Sequence, residues 1–150
     1  MSSDKAFNIP DGDVSALIEA INAANGAEDF PTINLAENGL YTLTEVIDET
    51  DGANGLPSIT SSIWINGNGA TIERRQGEET PTFRIFHVAL TGDLTLKRAT
   101  VKNGCVIGKG YAGEGGGILN FGMLTWFDSV IFRANFPSHI TDSDWASNVE

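Results

Sequence analysis

Short alternating apolar runs recur along most of this chain, and the interval between them is nearly constant. The clearest series reads Ile33/Leu35, Ile63/Ile65, Leu94/Leu96 and Leu124/Trp126. Its openings at Ile33, Ile63, Leu94 and Leu124 stand 30, 31 and 30 residues apart. An apolar residue at every second position marks a strand buried on one face. A fixed period of this size describes one supersecondary unit stacked on copies of itself, each covering the face its neighbour exposes.

Two further series ride on the same period. One comprises Tyr41/Leu43, Ala70/Ile72, Val101 and Ile131; the other comprises Leu56/Ile59, Phe86/Val88 and Ile118. Gly, Asn and Asp separate the runs, which is strand-and-turn punctuation. Three short parallel strands per repeat predict an all-β fold, a parallel β-helix of about four rungs. The strong preference for right-handed parallel connections makes the coil right-handed. An antiparallel sandwich also holds many short strands, but nothing in it would preserve this register.

Ahead of the strands, Val14, Leu17, Ile18, Ile21 and Ala24 share one face at helical spacing. Asp13 is the expected N-cap and Asn25-Gly26 the stop. Such an amphipathic helix would cover the open end of the first rung. The chain therefore reads as a single β-helix domain over residues 1–150, with a capping helix over 12–25, rungs over 31–135, and a tail or cap over 136–150. That last segment carries Ile140, Trp145 and Val149. A free C-terminal rung edge would pair with a second copy, so homo-oligomers through that edge are an expectation.

Charge narrows the partners. Twenty Asp and Glu residues oppose 9 Lys and Arg, a formal charge of −11. Such a surface repels phosphate backbones and anionic lipid, so neither nucleic acid nor membrane is expected as a partner. Cys105 stands alone and has no internal disulfide partner. Met1 to Lys5 lacks the apolar segment of a leader, and no stretch is long enough to span a bilayer.

Several segments resemble a known group. Asp13 to Asn25 is similar to the helical cap that opens many bacterial right-handed parallel β-helix proteins of the pectate-lyase-like superfamily. Leu56-Pro57-Ser58-Ile59, with Ile63 to Ile72 after it, resembles their early rungs. Gly115-Gly116-Gly117-Ile118 and Phe132-Arg133-Ala134-Asn135 look like the GGxI and FxxN repeats of polymorphic outer-membrane, adhesin-like β-helices. The resemblance covers most of residues 8–135. It implies an extracellular or cell-surface protein whose leader is not present in this chain. The group includes adhesins, polysaccharide lyases and glycoside hydrolases, usually with many more rungs. The glycines and Asn135 themselves read as turn chemistry rather than as a site.

Alternation turns Asn34, Trp64, Thr95 and Thr125 outward on the first sheet, followed by Ala36, Asn66, Lys97 and Phe127. Aromatic rings beside hydroxyl and amide groups suit stacking on sugars, so Trp64, Asn66, Thr95 and Phe127 are the expected ligand-binding residues. The bland alternative is that a loop or a second subunit covers the rings. Lys97, Arg98 and Asp128 share that face and are the candidate catalytic set, with Arg84 on a neighbouring face. A lyase would use a base, often Arg or Lys, to take the proton alpha to a uronate carboxylate; a hydrolase would need a second carboxylate beside Asp128. His87 alternates outward with no nucleophile motif beside it. No cofactor is expected; calcium is the candidate ion at Asp48, Glu49 and Asp51, although that spacing is not an EF-hand and a solvated acidic turn is the plainer reading. The favoured function is a non-catalytic module for binding glycan or protein at the bacterial surface or for edge-to-edge assembly. The alternative is a polysaccharide lyase or glycoside hydrolase working on the same face.

Overall fold

The computed structural model describes residues 6–142; Trp145 and Val149 lie outside them. The chain winds into a β-solenoid of about three turns with one α-helix at its start. All strand pairs between named elements are parallel.

Three walls make the coil. The first stacks β1 (Ala6–Ile9), β2 (Thr32–Leu35), the opening half of β4 (Ser62–Arg74), the opening half of β6 (Asp93–Lys102) and β8 (Met123–Phe127). The second stacks β3 (Leu40–Leu43), the closing halves of β4 and β6, and β9 (Ile131–Arg133). The third holds β5 (Phe86–Val88), β7 (Ile118–Asn120) and β10 (Ile140–Asp142). Strand repeats on the first wall thus outnumber completed turns, which is why four repeats close only about three turns.

The corner between the first and second walls repeats with the coil. Asn38, Asn68, Arg98 and Asp128 sit there with φ of 52°, 54°, 49° and 63°. Asparagine and aspartate tolerate this left-handed conformation better than other side chains, so Arg98 is the unusual member. Asn68 also braces the corner below, donating from Nδ2 to Leu35 O at 2.8 Å and accepting at its carbonyl from Asn38 N at 2.9 Å. Gly67, just before this corner, has the carbonyls of Lys97 and Arg98 where a side chain would stand.

The inward columns follow the apolar series, with two slips. Ile33 lies beside Ile65, not Ile63, so the first repeat is offset by two residues. A two-residue offset preserves which face points inward, and hydrophobicity alone does not resist it. On the fourth repeat Phe132, not Ile131, continues the Tyr41, Ile72 and Val101 column. Ile131 pairs beside Thr100 and is exposed. The core is otherwise closed: Ile33, Ile65, Leu96, Ile72, Val101, Phe86 and Ile118 are all buried.

Helix α1 (Val14–Asn25) begins at Asp13, whose carboxylate accepts from Ala16 N at 3.0 Å. Leu17, Ala20, Ile21 and Ala24 bury its inner face over the first turn. Strand β1 was not legible in the sequence. No apolar series is traced ahead of Pro10, yet Ala6–Ile9 adds a parallel strand below β2. Tyr41 secures this end: its buried hydroxyl donates to Ile9 O at 2.8 Å and accepts from Ala36 N at 2.9 Å. At the other end, residues 136–142 continue the coil. Phe136 bridges to Cys105 and β10 pairs with β7, so pairing runs past residue 135.

Candidate functional site

The register sorts the outward residues of the first wall into two columns. One runs Thr32, Trp64, Thr95, Thr125; the other runs Asn8, Asn34, Asn66, Lys97, Phe127. Asn34 therefore belongs with Asn66 and not with Trp64, the same two-residue offset again. It lies in an amide ladder: Asn66 Nδ2 donates to Asn34 Oδ1 at 3.3 Å, and Asn34 Nδ2 donates to Asn8 Oδ1 at 3.1 Å.

Trp64 and Phe127 meet edge to face, with ring centroids 5.6 Å apart and planes at 86°. They remain 42% and 41% exposed, so no described loop covers them. Beside Trp64 opens a cleft of about 310 Å³ lined by Phe30, Ser62, Ile63, Trp64, Asp93 and Thr95. Phe30 is 74% exposed at its rim. The structure thus brings Trp64 and Thr95 in one column, and Asn66, Lys97 and Phe127 in the next, onto one surface.

The candidate catalytic residues have a different geometry. Arg98 donates from Nη2 to Asp128 Oδ2 at 2.8 Å, and both side chains stand in solvent at successive corners. The hydrogen bond from Arg98 holds the Asp128 carboxyl below the ordinary carboxylate range. The same bond raises the Arg98 guanidinium. Lys97 is half-buried one residue away. Each charge of the exposed pair is thus answered by the other. Arg84, placed by sequence on an outward face, is instead completely buried.

The acidic loop is also occupied. Asp48 accepts from Asn54 Nδ2 at 2.7 Å and from the Thr50 hydroxyl at 3.1 Å. Asp51 Oδ2 lies 2.9 Å from His87 Nε2. Glu49 is exposed. Among the described residues no three His, Cys, Asp or Glu side chains converge in a way that would hold a metal ion.

His87 departs most from the reading by alternation. It does point away from the core column, but the loop carrying Asp51 folds over it and leaves it 1% exposed. Ser58 Oγ lies 2.7 Å from its Nδ1. Burial pushes the imidazole pKa down, opposed by its hydrogen bond to Asp51. The signal for this neighbour was present in the period. Ile59 bridges to Val88, so Ser58 and His87 occupy adjacent positions on successive turns. Asp51 had no such signal, because it arrives by a loop.

Glycine and asparagine near the last turn have structural roles. Gly115 has φ of 66°, and the Phe136 backbone occupies the side-chain position of Gly116. Asn135 accepts from Gly104 N at 2.9 Å and donates to Val101 O at 3.0 Å, tying two turns together. No helix among the described residues is long and apolar enough to cross a membrane. Comparison of the chain with protein-family models, curated proteins and solved structures found no match.

Proposed function

We propose that this protein is a short β-helix module that binds neutral glycan on the outward face of its first wall. The observation that carries the reading is the exposed Trp64–Phe127 pair beside the Phe30 cleft. Flat apolar rings stack on the C–H faces of sugars, while Thr95, Asn66, Asp93 and Lys97 supply hydrogen bonds to hydroxyls. The −11 charge favours neutral over polyanionic chains, and calcium is the ion that would bridge an acidic one. We take the coil to be right-handed and its setting to be the bacterial surface. Connection chirality supports the first; the likeness of its cap and glycine repeats to surface β-helices supports the second.

The test is isothermal titration with a panel of neutral and acidic oligosaccharides, with and without calcium, while following new reducing ends and unsaturated products. Binding is expected for at least one neutral chain, weakened about tenfold or more in Trp64→Ala, on the scale of a lost central aromatic anchor. Binding unchanged by both Trp64→Ala and Phe127→Ala would overturn the reading. Turnover lost in Lys97→Ala or Asp128→Ala would instead establish the lyase or hydrolase alternative.

A second reading rests on the last turn. Trp126 and Phe132 point along inward columns and stack edge to face, with centroids 5.5 Å apart; His139 lies 6.3 Å from the Phe132 ring, and Trp126 is still 46% exposed. The outer edges of β8 and β9 pair with no described strand. We propose that a second copy adds to this edge. Light scattering is expected to show a dimer that Trp126→Glu converts to monomer; a wild-type monomer at high concentration would exclude it.

A further inference from the structure

On the third wall, separate from the glycan platform, Ser58, His87 and Asp51 form a continuous hydrogen-bonded line. Its proton positions follow from chemistry. An ionised Asp51 carboxylate only accepts, so His87 carries its proton on Nε2. Nδ1 is then a bare acceptor, and the Ser58 hydroxyl must donate to it. That is the ground state of a serine held for deprotonation by a neutral imidazole, whose orientation and cationic form a carboxylate supports. The pKa shift agrees, since burial keeps the ring neutral near pH 7.

The surroundings position each member. Asn25, at the end of α1, donates to Ser58 O at 2.8 Å and accepts from Thr60 N at 2.9 Å, clamping the serine backbone. Arg84 donates to Asp51 O at 3.1 Å and to Asn54 Oδ1 at 2.7 Å, fixing the loop that delivers the carboxylate. Phe121 lies against the ring at 5.8 Å. Ser58 keeps partial exposure, and its N–H donates to no acceptor among the described residues. In this reading that amide is the donor assigned to the developing oxyanion.

We propose that Ser58 is an activated nucleophile that cleaves esters of short, uncharged acyl groups. We take the acyl group to be short because the clefts beside Trp64, beside Asn34 and beside α1 are lined by neither Ser58 nor His87. Ser58 Oγ attacks the carbonyl carbon as its proton passes to His87 Nδ1, and Asp51 holds the resulting imidazolium through Nε2–H. The bond to the alcohol oxygen then breaks, and that oxygen leaves with the proton from Nδ1. Water repeats the sequence on the acyl-serine, giving the carboxylic acid and restoring the hydroxyl.

A fluorophosphonate probe and p-nitrophenyl acetate test this directly on the intact protein. The probe is expected on Ser58 by peptide mapping, and the ester is expected to give a nitrophenolate burst. Ser58→Ala removes both. His87→Gln slows labelling by roughly a hundredfold or more, the usual contribution of a general base. Asp51→Asn slows it too, since a carboxamide no longer holds the proton on Nε2; a merely structural brace would leave the labelling chemistry unmoved. Absence of label from Ser58 in the wild-type protein overturns the proposal without reference to any variant. So does labelling at an equal rate in folded His87→Gln and Asp51→Asn.

Discussion

Replacing Arg84 by methionine is expected to destabilise the fold by about 3–5 kcal/mol, the scale of stranding buried polar partners. The residue is completely buried, and burial lowers its pKa to about 10, which still leaves it charged at neutral pH. Its guanidinium donates to the carbonyls of Asp51, Tyr111, Glu114 and Gly115 and to Asn54 Oδ1, at 2.7 to 3.3 Å. Methionine fills much of the volume and donates to none of them. Domains of this kind hold about 5–15 kcal/mol in total, so the loss is large. Urea denaturation is the measurement, and an unchanged midpoint would contradict this account. Arg84→Lys is expected to fall short of rescue, because a point charge cannot reach acceptors on both loops at once.

Gly67→Ala is the second large effect, at about 2–3 kcal/mol, the upper range for forced overpacking. A methyl group at this position would overlap the carbonyls of Lys97 and Arg98 and the side chain of Ala99 on the next turn. Two of those obstacles are backbone, held by the β4–β6 register on either side, so they have little freedom to yield. Gly26→Ala is the matched control. There a methyl meets only an ordinary contact, and φ is −93°, so a change within about 0.5 kcal/mol is expected. Thermal unfolding of the pair decides it: equal destabilisation would mean that close approach between turns is not what selects glycine at 67.

Much of the coil could be read from the chain because a stacked fold writes its periodicity into the sequence. Ile63, Leu94 and Leu124 fall into true register, and Phe86 falls beside Ile118. Where reading failed, the physics was indifferent or distant. Ile33 slips by two residues because parity is all that burial demands. Ile131 and Phe132 are both apolar, and only the left-handed Asp128-Ser129 corner decides which one turns inward. The aromatic face was legible by alternation. The His87 environment was legible only in part, since Ser58 follows the period while Asp51 reaches it through a loop of 46–55 whose path is set by Arg84.

The left-handed corner at Asn38, Asn68, Arg98 and Asp128 has a consequence for length. Because the bend falls at an even interval, each turn hands the next an identical starting direction, and irregular loops elsewhere absorb any difference in sequence. The chain is therefore modular in the engineering sense. A second copy of residues 62–92 placed ahead of Asp93 would present Ser62 to Ser62, Trp64 to Trp64 and Asn68 to Asn68, then meet β6 in the pairing it already uses. Each such insertion would lengthen the coil by about 4.8 Å, one strand spacing. It would also add one more tryptophan to a row that grows without altering its ends.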